Sequence, residues 1–340
     1  MSLSKYSKDI FMQDAIYKLM LVPSYCLAFI DTPEFQRLRR VKQLGMTEYA
    51  FHTGTHSRFE HCIGVMHLGG VFFDNLIRNS APEYKKFADY KKLIQIAGLL
   101  HDLGHGPKSH LFEEALKIKG IKFCHENQSI RLVKKINSRL NILTDEELSI
   151  VEAMILGKKL DGYPPFLFEI IANKDSGLDV DKFDYLKRDA MHTGKSQMTD
   201  DYIIKHCKID RNMHVSYYVK AEEEIKTVFL TRRNMYAHMY FHKTVAKVDK
   251  MMICALMQMT FDVDDLDEYI KYDDSYLDYH IRHILKHDLV RCLDNIQSDG
   301  NSIRKFDHKC DKCPDVRLNR VAKLSGDTDE DPLLFIRFYD

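Results

Sequence analysis

His101 and Asp102 stand side by side in Gln95-Ile-Ala-Gly-Leu-Leu-His-Asp-Leu-Gly-His105, at the polar end of an apolar run. An imidazole and a carboxylate placed this way can ligate one divalent ion from two directions. His61, in Ser57-Arg-Phe-Glu-His61, and Asp181, in Leu178-Asp-Val-Asp181, offer two further ligands at a distance. The ordered set His61, His101, Asp102 and Asp181 mixes borderline and hard donors. Such a set suits Fe, Mn or Zn and leaves positions open for water and substrate. A His-Asp pair alone is common at helix ends, so its weight here comes from the residues around it.

Those surroundings read as helix. Apolar residues recur at three- and four-residue spacing near 33–44, 58–79, 90–103, 108–118, 125–138, 145–156, 179–190 and 219–260. Phe59, Cys62, Ile63, Met66, Phe73 and Leu76 form one stripe, and Ile94, Ala97, Leu99 and Leu100 another. On the first helix Arg58 precedes His61 by one turn and can fork onto a phosphate. Further on, Asp181, Tyr185 and Asp189 fall at i, i+4 and i+8, so a ligand, an aromatic plate and a carboxylate share one face. The clear β signal before residue 300 is a hairpin across 208–218, around Arg211-Asn-Met. The tail Pro332-Leu-Leu-Phe-Ile-Arg-Phe-Tyr339 reads as a short strand. The expected architecture is mainly α: a helical bundle over residues 1–262, then a small, shortened α+β lobe over 263–340.

Bulk composition bounds function only loosely. In 340 residues, 45% hydrophobic content suffices for a real core, and 50 basic side chains cancel 50 acidic ones. No general field for nucleic acid or a membrane surface is expected. No N-terminal leader pattern and no apolar run near the ~18 residues of a membrane span is present. Eight scattered cysteines, with Cys62, Cys124 and Cys254 in apolar helical contexts, point to a reducing intracellular compartment, cytoplasmic or nuclear. Cys310 and Cys313 form half of a zinc-site spacing, but no second pair follows, so they are read as ordinary cysteines.

The ligand order His61, His101-Asp102, Asp181 is that of the HD phosphohydrolase superfamily. Longer motifs narrow it: Ile30-Asp-Thr-Pro-Glu-Phe-Gln-Arg-Leu-Arg39, Lys42-Gln-Leu-Gly45, Ser57-Arg-Phe-Glu-His-Cys-Ile-Gly-Val65, Leu100-His-Asp-Leu-Gly-His-Gly-Pro107 and Asp179-Val-Asp-Lys-Phe-Asp-Tyr185. Together they resemble the HD-domain deoxynucleoside triphosphate triphosphohydrolases, in particular the animal branch that joins a sterile-alpha-motif domain to the HD domain. The likeness runs from about Asp9 to Asp278, with a faint echo in the tail. No sterile-alpha-motif segment precedes it in these residues.

That resemblance implies hydrolysis of a dNTP to deoxynucleoside and triphosphate, by water attack on the α-phosphorus. One transition metal would occupy the His/Asp site, with Mg²⁺ arriving on the triphosphate. His110 is the expected proton donor to the departing 5′-oxygen, with Glu113 one turn away to orient it and raise its pKa. The family has an aspartate at that position. His105 and His125 match further active-site histidines that hold phosphate oxygens. Gln43, Leu44, Arg58, Lys182, Tyr185, Asp189, Arg232 and Tyr240 match substrate-binding residues. In that scheme Lys182 meets phosphate, Tyr185 packs where a 2′-hydroxyl would sit, and Asp189 with Gln43 holds the 3′-hydroxyl. The family's base-contacting glutamine is Phe241 here, which cannot hydrogen-bond a base edge. Two alternatives stay open: another HD phosphohydrolase activity, on a nucleoside monophosphate, cyclic nucleotide or oligonucleotide, or an inactive nucleotide-binding regulator.

Regulation is where the chain departs from the family. Lys5, Asp31, Gln36 and Arg39 match a pocket that takes GTP or dGTP as activator in a homo-oligomer, dimer or tetramer. At a second activator pocket, family arginines align approximately with Tyr202, Tyr218 and His238, and an asparagine with Glu224; Lys243 and Lys220 remain. Losing cationic partners weakens any grip on a triphosphate. A smaller assembly with little second-site activation is the resulting expectation.

Overall fold

The computed structural model describes residues 6–285 and 332–339. It opens with a hairpin of β1 (Ile10–Asp14) and β2 (Lys18–Val22), followed by α1 (Ser24–Ile30) and α2 (Pro33–Gln36). The body is built from α3 (Arg58–Asn79), α4 (Lys91–Leu100), α5 (His110–Ile118), α6 (His125–Leu140), α7 (Asp145–Leu156) and α8 (Val180–Thr193). Then come α9 (Asp201–Lys205), strands β3 (Cys207–Ile209) and β4 (Val215–Tyr218), α10 (Glu222–Met235), α11 (Lys243–Met257), α12 (Leu266–Tyr269) and α13 (Asp274–His280). Strand β5 (Phe338–Tyr339) completes a sheet ordered β3-β4-β5. The chain is mainly α, as expected. Cys310, Cys313, Lys5 and most of the expected second lobe lie outside the described residues.

Helix α3 is the central rod. A reciprocal capping box starts it, with the Ser57 amide donating to Glu60 Oε1 at 2.9 Å. Its stripe Cys62, Val65, Met66, Phe73 and Leu76 is fully buried. Helix α4 lies against it because Gly98 lacks a side chain: a Cβ there would stand 3.1 Å from the Val65 carbonyl. Each large apolar side chain so buried stabilises by about 1.5–3 kcal/mol.

Three elements differ from the periodicity. The 33–44 segment is helical only over Pro33–Gln36, tightens to a 3-10 turn over Arg37–Arg40 and then opens into a loop that carries Gln43 and Leu44. The 219–260 segment breaks into α10 and α11, joined by a π-type turn at Tyr236–Tyr240. The β1–β2 hairpin was not expected at all. The 208–218 hairpin is present, with Cys207 paired to Tyr217 and Ile209 to Val215, and the tail adds β5 in parallel to β4.

Helices α12 and α13 pack back onto the turn that follows α4. Arg37, 1% exposed, donates to Tyr272 O at 2.9 Å and Leu103 O at 2.7 Å. The Tyr269 hydroxyl donates to Gly104 O at 2.7 Å. We expect Arg37→Ala to cost about 3–5 kcal/mol, since it strands two buried carbonyls and leaves a cavity. A denaturant melt showing a loss below about 1 kcal/mol would contradict this role for Arg37.

Candidate metal centre and active-site cavity

The first site is assembled where α3, the end of α4 and the start of α8 meet. His61 lies one turn into α3, and His101 and Asp102 cap α4. Asp181 sits in the first turn of α8, whose N-cap Asp179 accepts the Lys182 amide at 3.0 Å. His61 Nε2 lies 3.0 Å from Asp181 Oδ1 and 3.5 Å from Asp102 Oδ2. His101 Nε2 lies 3.5 Å from Asp102 Oδ1 and 3.5 Å from Asp181 Oδ1. His61, His101 and Asp181 each offer a ligand atom within 4.8 Å of the others, and Asp102 flanks both imidazoles.

The residues fit a metal ion. His61 Nε2 and His101 Nε2 are buried and have no hydrogen-bond partner among the described residues, a costly condition unless something else takes their lone pairs. Their other nitrogens are committed: His101 Nδ1 to Gly98 O at 2.8 Å, and His61 Nδ1 to Asp184 Oδ2 at 2.9 Å. Those bonds place the Nδ1 protons outward and turn the Nε2 lone pairs inward. Burial pulls the His61 imidazole down, but Asp181 and Asp184 outweigh it and raise it to about 10. The site is short of positive charge, and a bound cation would supply it.

Asp184 was not among the candidate ligands, although its spacing four residues before Arg188 was readable as a helical ion pair. Arg188 donates to both Asp184 oxygens at 2.9 Å, and both side chains are fully buried. This pair crosses α3 at Gly64. A Cβ there would overlap Asp184 Oδ1 and Arg188 Nη2, so α3 must carry glycine one turn after His61.

A second cluster faces the same space. His105 and His125 stack with ring centroids 3.9 Å apart, and His110 stands edge-on to His105 at 4.9 Å. The turn that aims them places Lys108 and Ser109 at φ near +58°, a strained conformation for residues with a Cβ. It is held by the Lys108 amide donating to Asp274 Oδ1 at 2.7 Å and by the Ser109 hydroxyl donating to Lys42 O at 2.7 Å. One expectation is corrected here. Glu113 reaches across to His125 Nδ1 at 2.8 Å rather than to His110, because the α5 helix directs its side chain toward α6. Nor is the His110 pKa raised. Burial first, then Arg58 and His125, lower it to about 4, although its ring is open to the cavity. Arg58 is also more committed than expected, bonded to Asp102 and donating to Ser109 Oγ at 2.8 Å.

Both clusters open into one cavity of about 1170 Å³. Gln43, Leu44, Arg58, Lys182, Tyr185, Asp189, Arg232 and Tyr240 all line it. His61 and Glu113 lie behind its wall. At the end away from the metal centre, Asp189 is gripped by His56 Nε2 at 2.7 Å and by the Tyr240 hydroxyl at 2.5 Å. Gln43 Oε1 is buried with no partner among the described residues. The Arg232 guanidinium stacks 4.5 Å from the Tyr236 ring. His56, stacked on His192 at 4.4 Å, gave no spacing signal in the sequence. Phe241 lines this end as well.

Asp31, Gln36 and Arg39, matched above to an activator pocket, do not line that cavity. Tyr6 donates to Asp31 at 2.9 Å, Arg39 donates to Gln36 at 2.8 Å, and Gln36 donates to Ile30 O at 2.8 Å. The second expected pocket holds an aromatic group, with Tyr218 5.4 Å from Tyr339 and 6.4 Å from Tyr202.

A helical body whose two histidines and two aspartates converge from three helices is the make-up of an HD domain. Residues 58–189 match the HD domain family model, and the chain belongs to that family. It is 35% identical to the deoxynucleoside triphosphate triphosphohydrolase SAMHD1 homolog of Dictyostelium discoideum, over 78% of this chain and 53% of that protein. It is 30% identical to the human deoxynucleoside triphosphate triphosphohydrolase SAMHD1, over 72% of this chain and 46% of that protein. The bovine protein of the same name is 34% identical, over 68% and 44%. The chain thus spans about half the length of these curated relatives. Among the described residues no helix is long and apolar enough to cross a membrane.

Two substitutions test the centre. Asp102→Asn removes a ligand charge and is expected to abolish stoichiometric Fe or Mn while circular dichroism stays helical. Full occupancy by elemental analysis would sink the ligand assignment. Gly64→Ala, at a position that supplies no ligand, should lower metal content by pushing Asp184 off His61; unchanged content would show that the crossing tolerates a methyl group.

Proposed function

We propose that this chain is a metal-dependent phosphohydrolase that cleaves a dNTP to deoxynucleoside and triphosphate. The observation that carries the reading is one cavity containing a buried His/Asp metal centre, a cluster of three histidines and a carboxylate-tyrosine end. The relatives named as dNTP triphosphohydrolases support the same reading.

His61, His101, Asp102 and Asp181 would hold the metal, which supplies charge neutralisation and activation of water when bound. Arg58, held by Asp102, adds a fixed positive charge beside that ion. Lys182 and Arg232 place two more cations on the cavity wall, where triphosphate oxygens would be neutralised. His110 gives a proton to the departing 5′-oxygen. Its lowered pKa means that it takes up that proton beside anionic phosphate, whose charge favours the imidazolium. His125, fixed by Glu113, and His105 keep their nitrogens turned toward the phosphates. At the far end Asp189, oriented by His56 and Tyr240, accepts from a 3′-hydroxyl with Gln43 beside it, and Tyr185 fills the 2′ side. Phe241 gives a base surface without hydrogen-bonding groups, so base discrimination is expected to be lax.

The deciding experiment incubates the purified protein with dGTP and Mn²⁺ in ¹⁸O-water and identifies the products. Deoxyguanosine, with the label in triphosphate, is the expected result; orthophosphate release or label in the nucleoside would refute α-phosphorus attack. The sugar reading has its own test. GTP should turn over at least about a hundred-fold more slowly than dGTP, a difference of about 2.7 kcal/mol and so near the top of the ~1–3 kcal/mol of a single methylene. Tyr185→Ala should narrow that gap, and equal wild-type rates on the two nucleotides would contradict it.

A further inference from the structure

We propose that Asp14, on the N-terminal hairpin, is a positioning residue for His61, acting through Arg188 and Asp184 on the metal that His61 would hold. This rests on the metal-centre reading above and adds a part to it that no ligand motif contains.

The contacts form one unbroken line. Asp14 Oδ2 accepts from Arg188 Nη1 at 2.9 Å, and Arg188 Nε and Nη2 each donate to Asp184 at 2.9 Å. Asp184 Oδ2 then meets His61 Nδ1 at 2.9 Å. The side chains of Arg188 and Asp184 are 0% exposed and that of Asp14 is 5% exposed. Burying a guanidinium is tolerable only when each of its edges is satisfied. Asp184 takes one edge, and Asp14 takes the other. The remaining acid near Nη1, Glu60, stands 3.9 Å away.

Charge leads to the same residue. In this line of contacts, with Asp102 and Asp181 included, four carboxylates face two guanidiniums, those of Arg58 and Arg188. The residual two negative charges match one divalent ion. Removing Asp14 changes that balance without touching a ligand. It also leaves Arg188 Nη1 to seek another acceptor: Glu60 stands 3.9 Å away, and a guanidinium that turns toward it pulls on the Asp184 carboxylate that orients His61. Space for drift is small, since Gly64 lies directly beneath the pair and Tyr17 packs beside it, with the Lys187 ammonium 5.0 Å from its ring.

A purely structural role for Asp14 is the competing account. Its Oδ1 accepts the amides of Ile16 at 2.8 Å and Tyr17 at 3.0 Å and so closes the hairpin turn. Asn closes such turns as well as Asp does, so Asp14→Asn keeps the turn and removes the charge. Asp14→Glu restores the charge on a longer arm.

The test is calorimetric titration of the metal-stripped wild type, D14N and D14E with Mn²⁺ alone, beside thermal melts of each. D14N should bind Mn²⁺ about ten- to a hundred-fold more weakly, the usual effect of losing an outer partner of a metal ligand, and D14E should recover part of that loss. A D14N protein that binds as tightly as wild type, whatever its melting temperature, overturns the proposal, as does a D14E protein no tighter than D14N. Failure of the wild type to bind Mn²⁺ would instead remove the metal reading itself, so the two failures are distinguishable.

Discussion

The whole site depends on burying an excess of carboxylate. Buried Asp102 and Asp184 and half-buried Asp181 converge on two imidazoles, and neither inward nitrogen makes a hydrogen bond among the described residues. An unpaired charge in such a place would cost several kcal/mol. The fold answers with fixed guanidiniums on two sides and leaves the centre for a cation. Much of the backbone follows from that need: the glycine at position 64, the acidic first turn of α8, and the buried Arg188 tied to the hairpin.

The same economy governs the cavity beyond the metal. Its polar side chains are aimed by partners set behind them: His125 by Glu113, Asp189 by His56 and Tyr240, Arg58 by Ser109. Rotamers locked in this way need little reordering when an anionic ligand arrives. The strained backbone at Lys108 and Ser109 belongs with them, because that turn carries His105 and His110 to one wall and is anchored on α13 through Asp274.

Much of this was legible in the residues. The three- and four-residue apolar spacing over 58–79 marks α3 to its ends, and the four candidate ligands, far apart in the chain, are brought close together. What stayed hidden depends on contacts between distant segments. Glu113 sits one turn from His110, yet packing between α5 and α6 turns it to His125, and spacing on a single helix cannot report that. The β1–β2 hairpin escaped because it shows no alternation: Ile10, Phe11, Leu19 and Leu21 are exposed and apolar, and the turn contains no glycine or asparagine. Lys18 adopts the left-handed backbone there instead, at φ 64°. His56 had no neighbour in sequence to suggest Asp189, which lies 133 residues on.

The most direct test of the account is anomalous scattering from crystals of the protein loaded with Mn²⁺. The charge argument predicts one strong peak within bonding distance of His61 Nε2, His101 Nε2, Asp102 and Asp181. A peak held instead by His105, His110 and His125, with none between the aspartates, would contradict it.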